Sequence, residues 1–225
     1  MNSLAVEGFK RVRYNVAEAK AKYRREDETV RLMVVTKTVP YETVNQVIDA
    51  GAELLGENRV QEYLEKKDFY KEAEVHFIGR LQTNKVKYII DNVKCIHSVD
   101  SIRLAGEIDK LAAKKGIVIN VLAEVNIGGE KSKGGVVPEM VEDLAYGISE
   151  LENIRLCGLM TIPPPENSEV YFDKMQALFH TLGSKKIRNV SMDILSMGMS
   201  ADYVEAIKHG ANIVRVGSGI FGARK

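Results

Sequence analysis

The sequence contains no tryptophan, only two cysteines and no long apolar run, and these shortages exclude several classes of protein. Two cysteines cannot build a disulfide framework, and Cys95 and Cys157 lack the CxxC spacing of metal-binding motifs. No apolar stretch approaches the ~18 residues that span a bilayer, and the charged N-terminus lacks the apolar core of a signal peptide. We therefore expect a cytoplasmic protein with no membrane association.

The chain also lacks an excess of charge of either sign. Of its 225 residues 32 are basic and 31 acidic, so the formal net charge is +1. This balance provides no long-range attraction to nucleic acid, and we expect no nucleic-acid partner. With 45% hydrophobic residues, the composition is typical of a soluble globular protein. The length suits one large domain or two small ones, and no Ser/Gly-rich linker divides the chain.

What the sequence does contain is a regular alternation of strand-like and helix-like segments. Residues 3–25 predict an amphipathic helix, because Phe9, Val12 and Val16 recur at helical spacing. Eight short apolar runs follow, each with a helical segment behind it, such as 84–91 behind the third. The predicted strands are 31–36, 54–55, 75–78, 95–98, 117–125, 154–160, 192–195 and 213–216.

Such alternation favours a parallel sheet, because parallel strands need crossover connections. Eight units in a chain of this length predict a closed (β/α)8 barrel that occupies residues 1–225 as a single domain. An open doubly wound sheet is the alternative, although such sheets more often stop at about five or six strands.

In a parallel barrel the functional residues gather where the strands end, and Lys37 stands at the end of the first predicted strand. A lysine that is desolvated against a buried strand has a lowered pKa, which makes its amine nucleophilic towards an aldehyde or ketone. Read alone, Lys37 could also be a surface lysine in a loop.

Two glycine-containing segments, SMGMS (196–200) and VRVGSGIFG (214–222), form the loops that belong to the seventh and eighth predicted strands and lead into helices. Backbone N–H groups at helix starts bind phosphate, and barrels often place a phosphate site at these two loops. The alternative is ordinary turn glycine. Arg215 lies between two valines that should face outward, so its side chain should point into the barrel as an ion-pair partner or a ligand contact. With Lys37, these features favour a phosphorylated aldehyde as the ligand.

Other candidates for catalysis or metal binding are weaker. His76 and His97 occur without an HxxxH or HExxH context, so we expect no metal site. The sequence also lacks a GxSxG nucleophile elbow.

Eight motifs, taken in order, resemble one family. The chain resembles the pyridoxal phosphate homeostasis protein family, also called the proline synthase co-transcribed family, from about residue 30 onwards. That family resembles the barrel domain of alanine racemase, which implies a fold-type III pyridoxal 5′-phosphate (PLP) protein, a (β/α)8 barrel with an extra N-terminal helix. The motifs are VVTKTVP (34–40), GENRVQE (56–62), HFIGRLQTNK (76–85), IHSVDS (96–101), VNIGGEKSKGG (125–135), GLMTI (158–162), LSMGMSADYVEAI (195–207) and VRVGSGIFGAR (214–224).

The resemblance implies roles for the residues that the pattern already singled out. By it, Lys37 holds PLP as a Schiff base, and Arg215 faces the pyridine nitrogen of the cofactor. An arginine there keeps that nitrogen unprotonated and so weakens the ring as an electron sink. The residues implied to hold the phosphate are Ser200, Gly217 and Ser218.

The resemblance also extends to positions whose roles are less direct. Asn58, His76 and Met197 match motif positions expected near the ring, and Lys133 matches a lysine implied in a secondary aldehyde or phosphate contact. Arg80 departs from the family pattern, which commonly has a small residue or proline there. We expect that position at the pocket mouth, where it would affect cofactor exchange.

As a function, the resemblance implies a protein that binds PLP reversibly, buffers the free aldehyde and has no established catalytic activity. The expected partners are PLP and, beyond it, PLP-dependent apoenzymes, with the chain as a monomer or weak dimer. No residue is assigned a catalytic role.

The main alternative is a PLP-dependent amino-acid racemase, which needs acid–base groups on both faces of the substrate α-carbon. In alanine racemase a tyrosine supplied with a second domain is one of them. This chain has no room for that domain, and none of its nine tyrosines falls at a predicted strand end. A Schiff-base aldolase without cofactor would explain Lys37 but not the two phosphate loops combined with Arg215.

Overall fold

The computed structural model describes residues 3–130 and 133–222, and in it eight parallel strands close into a barrel. Each strand pairs with the next along the chain, and the eighth pairs with the first. The predicted (β/α)8 barrel is confirmed, and the open sheet is wrong. The strands are β1 (Arg31–Val35), β2 (Leu54–Glu57), β3 (Glu74–Phe77), β4 (Cys95–Val99), β5 (Ile119–Val125), β6 (Ile154–Thr161), β7 (Val190–Ser196) and β8 (Ile213–Val216).

The α-helices of the described residues surround the barrel, and α1 is the extra helix predicted before the first strand. The Ser3 side chain caps α1 by accepting a hydrogen bond from the Val6 N–H at 3.4 Å. Within the described ranges, no helix combines the length and the apolar content needed to cross a membrane. The helices are α1 (Leu4–Tyr23), α2 (Tyr41–Asp49), α3 (Val60–Lys66), α4 (Ile102–Lys115), α5 (Val141–Ser149), α6 (Ser168–Ser184), α7 (Tyr203–Lys208) and α8 (Ser218–Phe221).

The connection between β3 and β4 differs from the prediction. The helix expected over 84–91 is a 3-10 helix over Thr83–Tyr88. Its backbone hydrogen bonds join residues three apart, as in a 3-10 helix: the Lys85 N–H donates to the Gln82 carbonyl, and the Ile89 N–H donates to the Val86 carbonyl. The apolar spacing that predicts a helix is present, but it does not distinguish these two helix types.

Side chains alternate along each strand between the barrel interior and the layer that packs on the helices. Val214 and Val216 are fully buried in the helix-facing apolar core, and Arg215 between them is 3% exposed. The inward orientation predicted for Arg215 agrees with this alternation. The interior holds two smaller apolar clusters, one of Met33, Val35, Leu54, Ile78 and Ile213 and one of Cys95, Leu122 and Met160.

Candidate functional site

Lys37 lies half-buried in the turn that follows β1. Two side chains of α3 hold this turn: the Lys66 ammonium donates to the Thr36 carbonyl at 3.2 Å, and the Glu62 carboxylate accepts from the Thr38 N–H. Lys66 and Glu62 also pair with each other. The backbone on both sides of Lys37 is therefore fixed at the carboxyl end of the barrel.

Arg215 is held inside the barrel by two hydrogen bonds. Its Nη1 donates to Ser196 Oγ at 2.8 Å, and its Nη2 donates to the Thr161 carbonyl at 2.8 Å. Burial lowers the pKa of Arg215 to about 10, against the opposing charges of Glu124 and Asp202. The guanidinium thus stays charged at neutral pH, and its other N–H groups can face an acceptor such as a pyridine nitrogen.

The two glycine-containing loops meet, as a shared phosphate site requires. Ser200 Oγ accepts from the Gly219 N–H at 3.0 Å, which ties the loop after β7 to the start of α8. A Cβ added at Gly217 would lie 3.2 Å from the Val35 carbonyl, so glycine permits the close approach to β1. Ser218 is exposed at the first turn of α8.

Asn58 and Arg80 line a cavity of about 930 Å³ at the ends of β2, β3 and β4. The Oδ1 atom of Asn58 is buried and has no hydrogen-bond partner in the described part of the chain. A buried acceptor of this kind needs a donor, and a bound molecule can provide one. Arg80 is exposed on the cavity wall, consistent with the predicted position at a pocket mouth.

The position near the ring that the resemblance implied for His76 stays a prediction. Both of its ring nitrogens are engaged within the barrel, Nε2 with Glu74 at 2.6 Å and Nδ1 with His97 at 2.8 Å. His76 reaches Arg215 only through His97 and Ser196. Its motif position is inward, but the neighbouring strand supplies a polar partner that sequence spacing does not reveal.

The position near the ring that the resemblance implied for Met197 likewise stays a prediction. Its side chain is fully buried in the helix-facing core, because the strand alternation turns it away from the interior that Ser196 occupies. Its backbone N–H donates to the Ile213 carbonyl at 3.2 Å. Met197 therefore supports the loop by packing and does not present its side chain to the barrel mouth.

Lys133 lies in the loop after β5, of which Lys131 and Ser132 fall outside the described residues. Its ammonium is 2.5 Å from Glu130, whose own backbone is held by Asn126 in a closed turn. The secondary ligand contact implied for Lys133 stays a prediction.

Glu124 is a candidate site residue that the sequence reasoning missed. It is the single carboxylate in the apolar run of β5, at an inward-facing position near the strand end. Burial and the charge of Asp100 raise its pKa to about 7, against the opposing effects of Arg215 and Arg80. The sequence feature that could have identified Glu124 is an acidic residue at an inward-facing position of an otherwise apolar strand.

Two other signals were also overlooked. The glycines of GSGIFG (217–222) have the G-x-G-x-x-G spacing of loops in which a strand leads into a phosphate-binding helix.

The second signal is a group of potential metal ligands: His76, Cys95 and His97 bring their ligand atoms within 4.8 Å of one another. The two imidazoles are hydrogen-bonded directly to each other, so at least two of these atoms already have partners.

Four features of the strand ends fit a phosphorylated pyridine aldehyde. They are an amine after β1, a buried guanidinium on β8, a glycine loop that added Cβ atoms would crowd, and the buried Asn58 oxygen, which has no hydrogen-bond partner among the described residues. A closed (β/α)8 barrel with this arrangement is an alanine racemase-like barrel.

The comparisons with known proteins agree with that class. The family model described as alanine racemase, N-terminal domain, matches residues 9–225. The chain is 45% identical to the pyridoxal phosphate homeostasis protein of Aquifex aeolicus, over 98% of this chain and 99% of that one. It is 36% identical to the protein of the same name from Escherichia coli, over 100% and 98% of the two chains. The chain belongs to the pyridoxal phosphate homeostasis protein family.

A solved structure shares both fold and sequence with the chain. PipY of Synechococcus elongatus, solved with PLP bound, is 29% identical and has a TM-score of 0.81. The match covers 92% of this chain and all of PipY.

Proposed function

We propose that this chain binds PLP reversibly through a Schiff base on Lys37 and serves PLP homeostasis, as the names of its relatives indicate. The observation that supports the proposal most strongly is that Lys37 follows β1, the strand that pairs with β8 and its buried Arg215, while the β7 and β8 loops are joined by a hydrogen bond. The whole chain, 1–225, acts as one PLP-binding domain. Exchange of PLP with apoenzymes, a monomeric or weakly dimeric state and a cytoplasmic location stay predictions.

PLP, when bound, supplies an aldehyde that condenses with the Lys37 amine, with loss of water. Arg215 donates to the pyridine nitrogen and so disfavours protonation of that atom. The loops at Ser200, Gly217 and Ser218 bind the phosphate through N–H and hydroxyl groups, which needs no basic surface. Glu124, with a pKa of about 7, can hold or release a proton beside Arg215 at neutral pH.

The visible spectrum with and without borohydride tests the proposal. Protein mixed with PLP should show an absorption band distinct from that of free PLP, and borohydride should fix the cofactor to Lys37 in the peptide mass map. Lys37→Ala should show neither. Lys94→Ala is the matched control, because Lys94 is an exposed lysine directly before β4, at the other end of the strands. A wild-type protein without the band, or a Lys37→Ala variant that keeps it, would refute the proposal.

A second candidate function, amino-acid racemisation, is favoured by one observation. Glu124 is a titrating group near the site and could act as an acid–base partner of Lys37. We propose that the chain has no such activity, and we expect PLP-loaded protein to leave the optical rotation of L-amino acids unchanged. Turnover that disappears in Glu124→Gln would establish the racemase instead.

A further inference from the structure

A continuous chain of hydrogen bonds crosses the interior of the barrel from Arg215 to the amino-terminal end of β3. The guanidinium of Arg215 contacts Ser196 Oγ at 2.8 Å, and Ser196 Oγ contacts His97 Nδ1 at 3.1 Å. His97 Nε2 then meets His76 Nδ1 at 2.8 Å, and His76 Nε2 meets Glu74 Oε1 at 2.6 Å. Side chains of four strands, β3, β4, β7 and β8, thus form one connected path.

The path connects a deeply buried cation to a carboxylate near solvent. Arg215, Ser196, His97 and His76 are each at most 3% exposed, whereas the Glu74 side chain is 33% exposed. Arg215 forms no direct ion pair within the described residues, because its two partners are a hydroxyl and a carbonyl. A buried charge is strongly unfavourable unless it is compensated; the charges of Glu124 and Asp202 act on Arg215 through space, and the chain of hydrogen bonds connects it to a third carboxylate, Glu74.

The groups at the two ends of the path, a guanidinium and a carboxylate, determine which atom donates and which accepts in each hydrogen bond between them. A guanidinium only donates, so Ser196 Oγ accepts from Arg215. An ionised carboxylate only accepts, so His76 Nε2 donates to Glu74. With both imidazoles neutral, His76 Nδ1 must accept from His97 Nε2, and His97 Nδ1 must accept from the Ser196 hydroxyl. Every donor then points from Arg215 towards Glu74.

The opposite arrangement, with His97 donating to Ser196, requires a cation at His76 or at His97. A cationic His76 would place His97 between two buried cations, His76 and Arg215, and a cationic His97 would itself lie beside Arg215. Burial, together with the charges of His76 and Arg215, holds the pKa of His97 well below its usual range. The hydrogen bond from His76, followed by that from Arg31, lowers the pKa of Glu74 to about 2, so the carboxylate is ionised at neutral pH.

We propose that Glu74, His76 and His97 are positioning residues that orient Arg215 and transmit the negative charge of Glu74 to it through Ser196. The part of this proposal that concerns PLP rests on the proposed function. Arg31 donates to both oxygens of the same carboxylate, at 3.3 Å and 2.8 Å, so the Arg31–Glu74 pair forms the far end of the path and contributes to the electrostatic environment of the pyridine position.

The tautomers of the two histidines test the path without any cofactor. Long-range proton–nitrogen NMR of the protein without PLP should show His76 and His97 as neutral tautomers that carry the proton on Nε2. Glu74→Gln should change the tautomer population of His97, although one whole imidazole separates the two residues. Glu53→Gln is the matched control, because Glu53 is an exposed carboxylate directly before β2 that meets Glu74 through its backbone carbonyl, and among the described residues no hydrogen bond or ion pair joins its side chain to the path. A His97 that carries its proton on Nδ1, or one unaffected by Glu74→Gln, would overturn the proposal.

Binding of PLP tests the consequence for Arg215. Glu74→Gln should weaken PLP binding about 5-fold or more and shift the visible band, because coupling between distant sites is typically of that size or larger. Ser196→Ala should do the same, and Ser196→Thr, which keeps the hydroxyl, should restore the wild-type band. Thermal unfolding of each variant separates this effect from misfolding. If wild type binds no PLP, the proposed function fails while the NMR result still decides the path; if Glu74→Gln and wild type share one band and one affinity, the transmission fails.

Discussion

At the scale of single residues, Glu124 shows how a barrel interior changes a side chain. Its carboxyl group titrates near pH 7, mainly because burial disfavours the charged form. The folded protein therefore binds a proton at Glu124 between about pH 4.5 and 7 that the unfolded chain has released. By linkage, stability falls as the pH rises through this window, and the full penalty is present above pH 7.

Replacing the Glu124 carboxylate tests whether stability falls as the pH rises. Glu124→Gln should stabilise the folded protein by about 1–3 kcal/mol at pH 8 and by much less at pH 5, because only the ionised carboxylate is penalised. Denaturant unfolding of both proteins across this pH range measures the difference. An equal difference at both pH values would mean that Glu124 does not titrate with a raised pKa.

The site could be predicted from the sequence only where one residue carries the signal by itself. The sequence points most directly to Lys37 and Arg215, because Lys37 follows the apolar run of β1 and strand alternation alone turns Arg215 inward; their roles stay predictions. The hydrogen bonds of His97 could not be predicted, because its partners, His76 and Ser196, come from two other strands, β3 and β7. Contacts across the barrel depend on strand stagger, which a linear pattern does not contain.

At the scale of elements, strands were predicted most reliably where apolar residues define both ends. The last strand has the predicted bounds, Ile213–Val216. The second strand was predicted as 54–55 but continues to Glu57, a polar residue that ends the apolar run. Glu57 is fully buried because it accepts hydrogen bonds from Thr36 at 2.6 Å and Tyr70 at 2.5 Å, and both partners lie outside the strand.

The interior of α4 offers a simple element-scale prediction. Gly106 lies mid-helix, and an added Cβ would have no atom within 4 Å. Gly106→Ala should stabilise the protein by roughly 0.5–1 kcal/mol, since glycine loses more backbone entropy in a helix than alanine. Thermal unfolding measures the gain, and a lower midpoint would contradict the open surroundings of this position.

At the scale of the whole molecule, the first helix and the last are packed directly against each other. A Cβ on Gly8 of α1 would lie 2.3 Å from the Ile220 carbonyl of α8. Arg11, one turn further on, donates to the Gly219 carbonyl at 2.9 Å. The Gly219 N–H in turn binds Ser200, so the amino-terminal helix supports both of the loops proposed to hold the phosphate.

Gly8→Ala tests this support, with Gly106→Ala as the matched helix-interior control. The two substitutions make the same gain in helix propensity, roughly 1 kcal/mol. At Gly8 a backbone carbonyl must move away, and overpacking of this kind typically costs about 1–3 kcal/mol, which outweighs the gain. We therefore expect Gly8→Ala to lower the thermal midpoint and to weaken PLP binding, because α8 and the Gly219–Ser200 contact move with Ile220. Gly106→Ala should leave PLP binding unchanged. Equal PLP affinities for the two variants would mean that the phosphate loops keep their geometry without α1.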